Sequence, residues 1–161
     1  MRRIATLALT LASLASPLAA QSHPDFSGKW VLDTKGSEGP MLPSALTSVI
    51  TPDAKTFKVE NSATMAMGDQ KMEQKSTVNY NLDGSPSKNV ASGMGSSLDL
   101  MSTATWDGPT LVVITKADLG GQGVTQTDHW SLAPDGKTLK VTRDVAVGAQ
   151  SMTQKLTFTK Q

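Results

Sequence analysis

The chain has 161 residues, no cysteine, and 15 basic against 14 acidic residues. Without cysteine there can be no disulfide, no thiol nucleophile and no lipid-modified cysteine at a processing site. The near-neutral balance, with no basic patch or charge run, argues against nucleic acid as a partner.

Arg2 and Arg3, the apolar run from Ile4 to Leu14 and the small residues ending Pro17-Leu18-Ala19-Ala20 read as a signal peptide over residues 1–20, cut after Ala20. Ala5 and Thr6 stand where a twin-arginine signal carries hydrophobic bulk, so general secretion is expected. The apolar run is too short for a membrane span and has no later counterpart. Of 15 basic residues, removal of Arg2 and Arg3 leaves 13 against 14 acidic, a net charge of −1. The expected product is a single domain over residues 21–161, periplasmic or secreted, large enough to bury a core.

The elements that follow are strands. Gln21 to Asp25 is a polar lead. Phe26 to Leu32 is predicted as the first strand, with Phe26, Gly28, Trp30 and Leu32 on one face. Thr34 to Ser44, with Gly36, Gly39, Pro40 and Pro43, is a loop predicted to cross one end of the sheet. Ser48 to Thr51 is a strand, and Pro52 to Lys55 a turn. Phe57, Val59, Asn61, Ala63, Met65 and Met67 share one face of a long strand, expected to bulge near Asn61. After Gly68-Asp69, Met72, Gln74, Ser76, Val78, Tyr80 and Leu82 alternate with polar residues. Asp83 to Pro86 turns the chain, and Asn89 to Met94 is a short strand.

From Leu98 to Lys160 the alternation is strongest. Leu98, Leu100, Ser102, Ala104 and Trp106 lie on one face, and Asp107-Gly108-Pro109 turns into Leu111, Val113, Thr115 and Ala117. Gly120 to Gly123 breaks the run before Val124, Gln126, Asp128, Trp130 and Leu132, with His129 outside. Pro134-Asp135-Gly136-Lys137 is a hairpin loop. Its length sets Leu132 opposite Leu139, Trp130 opposite Val141, Asp128 opposite Arg143 and Gln126 opposite Val145. A four-residue loop from Gly148 to Ser151 would then set Val147 opposite Met152, Arg143 opposite Leu156 and Val141 opposite Phe158. A one-residue slip would expose all of these side chains, so agreement across turns is informative.

No segment carries helical periodicity. About eight to ten strands joined by short turns predict an all-β, antiparallel up-and-down meander, closed into a barrel because closure removes exposed edges.

Phe26-Ser27-Gly28-Lys29-Trp30 resembles the F-x-G-x-W opening of lipocalins, fatty-acid-binding proteins and, more loosely, avidins. Trp106-Asp107-Gly108 and the run from Trp130 to Leu139 resemble small exported bacterial lipocalin-like proteins. The resemblance implies a lipocalin-like barrel with Trp30 plugging its closed end and Arg143 packed across that ring. The chain lacks the lipocalin disulfide, the C-terminal helix and the helical lid between the first two strands of fatty-acid-binding proteins.

Arg143 falls on the inner face and needs a partner there. It is either a carboxylate anchor for an amphiphile or the structural partner of Asp128. The expected ligand-binding residues are Arg143, Tyr80, Gln126 and Gln154, with walls from Phe57, Met65, Met67, Met72, Leu100 and Val113. Trp30, Gly28 and Asp128 are expected to be structural. Met65, Met67 and Met72 also allow a Cu(I) reading, since thioethers are soft ligands, against an adaptable apolar wall. His23 and His129 lack ligand-spaced neighbours. No Gly-x-Ser-x-Gly or carboxylate pair points to a reaction, so neither an enzyme nor a cofactor is expected. The leading expectation is an exported barrel binding a small hydrophobic or amphiphilic molecule. The alternative is a packed barrel contacting an envelope protein through its surface.

Overall fold

The computed structural model describes residues 23–68, 70–93 and 96–161; the expected signal peptide lies outside them. Ten antiparallel strands follow one another: β1 (Gly28–Leu32), β2 (Ala45–Pro52), β3 (Thr56–Met67), β4 (Gln70–Asn81), β5 (Ser87–Gly93), β6 (Ser96–Asp107), β7 (Thr110–Leu119), β8 (Gln122–Leu132), β9 (Thr138–Val147) and β10 (Gln150–Lys160). Successive strands pair, and β1 also pairs with β10, giving one sheet in the order β4-β3-β2-β1-β10-β9-β8-β7-β6-β5. The result is a nearly closed barrel. Among the described residues no helix is long and apolar enough to cross a membrane.

The register of β8 on β9 follows from the Pro134–Lys137 loop, with Leu132 opposite Leu139 and Asp128 opposite Arg143. Asp135 fixes that loop. Its Oδ1 accepts from the Lys137 and Thr138 amides at 2.8 and 3.0 Å, and its Oδ2 from the Thr138 hydroxyl at 2.9 Å. Asp53 does the same in the Pro52-Asp53-Ala54-Lys55-Thr56 turn between β2 and β3. The β9–β10 register departs from expectation. Val147 pairs with Gln150, Arg143 with Gln154 and Val141 with Leu156, because the turn is only Gly148-Ala149, with Gly148 at φ +58°. The shift is two residues, an even number, so every side chain keeps its face. The bulge expected in β3 is absent: its ladders to β2 and β4 run unbroken.

One end of the barrel is packed solid. Trp30 is fully buried and its indole N–H donates to the Phe26 carbonyl at 2.8 Å. Phe26, Phe57 and Trp130 meet edge to face, with ring centroids 5.9 to 6.4 Å apart. The cation over the Trp30 ring is Lys160, at 5.2 Å, and not the Arg143 that the resemblance implied. Lys160 is Trp30's ladder partner in β10, whereas Arg143 is engaged deeper in the barrel. Gly28, at φ +114°, permits this arrangement: a Cβ there would sit 2.9 Å from the Lys160 Cε.

The loop between β1 and β2 is bound to β10. Glu38 and Lys155 exchange both backbone hydrogen bonds at 2.8 Å, the Thr157 amide donates to the Ser37 hydroxyl, and Gln154 Nε2 donates to the Pro40 carbonyl at 2.7 Å.

β4 and β5 are the two ends of the sheet, and side chains bridge them. The Asn89 amide takes the place of a ladder rung: its Oδ1 accepts from the Asn79 N–H at 2.7 Å and its Nδ2 donates to the Asn79 carbonyl at 2.9 Å. Asn81 Nδ2 donates to the Pro86 carbonyl at 3.2 Å on the same seam. Asn89 is buried, and its loss would leave the Asn79 N–H and C=O without their partner across the seam. Asn89→Ala should lower the unfolding free energy by about 1–3 kcal/mol, while Lys88→Ala on the outer face should cost less than about 0.5 kcal/mol. Denaturant unfolding checks both, and hydrogen exchange at the Asn79 amide should accelerate in the Asn89 variant only.

Candidate functional site

Above the aromatic plug the inward side chains turn polar. Arg143 donates from Nε to Asp128 Oδ1 at 2.8 Å and from Nη2 to Oδ2 at 3.0 Å. Gln126 Nε2 adds a third bond to Oδ2 at 2.9 Å. Asp128 is 2% exposed, whereas 28% of the Arg143 side chain remains accessible. Burial works against the guanidinium's charge, but Asp128 outweighs it and holds Arg143 protonated. Ser48 donates to Asn61 Oδ1 at 2.7 Å, and the Ser102 and Thr115 hydroxyls lie 2.9 Å apart. Tyr80 belongs to the same level. Burial pushes its phenol well above the usual value, the Asp128 charge adds to this, and Arg143 opposes it.

Two cavities adjoin this polar belt. One, of about 410 Å³, lies below the β1–β2 loop, with Met41, Pro43, Leu46 and Met65 among its walls. The other, of about 280 Å³, is walled largely by Val78, Ala91, Leu98, Leu100, Ala117 and Val124. Asn61, Tyr80, Gln126 and Arg143 line both. The interior is therefore a divided chamber: the larger part mixes polar walls such as Ser48, Gln74, Ser76 and Gln154 with apolar ones, the smaller part is mainly apolar, and a polar waist lies between them.

The expected site residues do not all reach the cavities. Arg143, Tyr80 and Gln126 line both cavities, Gln154 and Met65 the larger, and Leu100 the smaller. Phe57 and Val113 do face inward but are packed into the core outside both cavity walls. Met72, opposite Met65 in the β3–β4 ladder, is 38% exposed and lines neither cavity. The Met67 side chain lies outside the described residues. Periodicity assigns a face but does not tell what covers it: Phe57 and Val113 are packed over by the core, whereas Met72, on the rung of the lining Met65, sits on the end strand β4 and is open to solvent. Asn61, Leu98, Ala117 and Val124 are wall residues that the expectation omitted. A polar Asn61 between Val59 and Ala63 on an inward face was the readable signal.

Trp130 also lines the larger cavity, and its buried indole N–H has no partner among the described residues. His129 faces outward, and His23 stacks on Trp106 at 4.1 Å. Among the described residues no group of three or more His, Cys, Asp or Glu could hold a metal ion.

No protein-family model and no curated protein matches the chain. Solved structures do. A secretory abundant heat soluble (SAHS) protein from Ramazzottius varieornatus aligns over 88% of this chain and 98% of its own, at 15% identity and a TM-score of 0.58. The REP1-NXSQ fatty acid transporter aligns over 84% and 95%, at 13% identity and 0.51. Zebrafish ileal bile acid-binding protein, complexed with cholic acid, aligns over 84% and 98%, at 14% identity and 0.51. All are calycin-like β-barrels, and at these identities the likeness is one of fold.

Two outcomes follow from the belt. Asp128→Ala, which leaves the half-buried Arg143 guanidinium without its partner, should cost up to about 3 kcal/mol in denaturant unfolding, and the apolar double variant Asp128→Leu/Arg143→Met should recover most of it. Tyr80 is the chain's sole tyrosine. Its folded pKa is raised, so the unfolded state gives up the phenol proton first and stability should fall as pH rises above 10. Phenolate absorbance should therefore appear together with unfolding rather than in the native baseline, and Tyr80→Phe should lessen the alkaline loss.

Proposed function

We propose that the protein is an exported carrier that holds a small hydrophobic or amphiphilic molecule inside the barrel. The observation that carries this reading is the unfilled interior. Cavities of about 410 and 280 Å³ share a polar waist, which suits a molecule with an apolar body and one polar group. A barrel filled by its own side chains would instead favour a role for the outer surface. Two barrels of the same fold support the reading by their names, one a fatty acid transporter and the other a bile acid-binding protein. Binding rather than catalysis fits an interior in which the waist carboxylate, Asp128, is already committed to Arg143. Export rests on the leader at residues 1–20, and release after Ala20 would place the carrier in the periplasm or medium.

The test is native mass spectrometry of protein purified from the cells that make it. The expected polypeptide starts at Gln21 and carries a lipid-sized mass that organic extraction removes. Extracted protein should then take up a hydrophobic dye. Ala117→Phe, which fills the smaller cavity, should weaken uptake about tenfold or more with an unchanged circular dichroism spectrum. A bare polypeptide that takes up neither dyes nor lipids would contradict the carrier reading.

A further inference from the structure

Among the described residues, Arg143 is the one charged side chain in the lining of either cavity. A lone cation at the waist would select an anionic ligand. Its charge, however, is already answered. Asp128 lies directly behind it, takes two of its N–H groups in a bidentate pair, and is itself shielded from the cavity. Gln126 donates to the same carboxylate, so that carboxylate has three donors and no lone positive charge is left over.

We infer that the barrel's ligand carries an uncharged polar head, an alcohol, ester or amide, and not a carboxylate or an ammonium group. The inference rests on the carrier reading above and goes on to fix the class of ligand. An anionic head seated beside Arg143 would lie close to Asp128 as well, in a medium that screens poorly. It would leave three charges with a net value of −1 in the interior, and its own desolvation would be incompletely repaid. A cationic head would meet the Arg143 guanidinium at the cavity wall and find Asp128 already occupied. A neutral head has neither cost. The waist offers it what it needs in both senses: the Tyr80 hydroxyl and the remaining Arg143 N–H groups as donors, and the Gln126 side-chain carbonyl as an acceptor. Tyr80 is held as a neutral phenol, so it supplies no second charge.

The experiment is dye displacement from the extracted, mature protein at pH 8 by three probes with one tail: dodecanol, dodecanoate and dodecylammonium. Dodecanol should bind about tenfold or more tighter than either charged probe. Dodecanoate binding as tightly as dodecanol, or tighter, would overturn the inference and leave the carrier reading standing. Dodecylammonium binding best would do the same. Failure of all three to displace a dye that the protein binds would overturn the inference and leave the carrier reading standing, whereas failure of any dye or lipid to bind would overturn both. Asp128→Asn keeps the shape of the side chain and removes its charge, so it should move the preference toward dodecanoate by about tenfold or more. An unchanged preference in a folded variant would contradict the role given to Asp128. If that variant does not fold, the three probes on the wild-type protein decide alone.

Discussion

A sheet of ten antiparallel strands has two long edges, and the economical way to hide them is to bring them together. That constraint shapes everything inside. A barrel of this girth encloses more space than one inward residue per two positions can fill. Here the space is divided unevenly. Phe26, Trp30, Phe57 and Trp130 crowd one end, while Ala63, Ala91 and Ala117 leave room toward the other. Closure is incomplete at β4 and β5, where the Asn89 amide stands in for backbone. An asparagine can present a donor and an acceptor side by side, as a peptide group does, and this lets a side chain complete the ring where the strands diverge.

The polar waist sits at the junction of the packed and open halves. A buried ion pair is a poor source of net stability, since desolvation offsets much of the attraction. In the proposed carrier its effect is on what the chamber would accept. Asp128 neutralises Arg143 from behind, so the cavities present hydrogen-bonding groups without a net charge. The β1–β2 loop contributes to the same chamber from above. It is tied to β10 through Glu38, Ser37 and Gln154, and Gln154 lies directly across the ladder from Arg143.

Much of the fold could be read in the sequence because two signals agreed. Period-two alternation marked the inward faces, and Pro-Asp-x-Lys loops fixed where strands turned. Asp128 opposite Arg143 followed from loop length alone. The β9–β10 turn was misjudged by two residues because Ser151 reads as a loop residue yet extends the strand, and glycine at position 148 allows a tighter turn. The candidate site was only partly legible. Alternation puts Phe57, Val113 and Met72 on the inner face but does not tell whether the core covers them, as it does Phe57 and Val113, or whether an end strand leaves them to solvent, as β4 does Met72. The Asn89 seam was not legible, because the strands it joins share no backbone ladder. The cation over Trp30 was assigned by resemblance to Arg143. The ladder partner of Trp30 depends on how the first and last strands meet, which local pattern does not specify.

In the proposed carrier a neutral amphiphile enters the barrel and rests at an intact Asp128–Arg143 pair. Side-chain NMR during titration with a long-chain alcohol tests it most directly. Shifts are expected at the Arg143 Nε–H, the Gln126 amide and the Leu98 and Leu100 methyls, with the Arg143 Nε–H still protected from exchange at saturation. Shifts confined to outward residues such as Val90, Met101 and Ile114, or loss of Arg143 protection on binding, would contradict it.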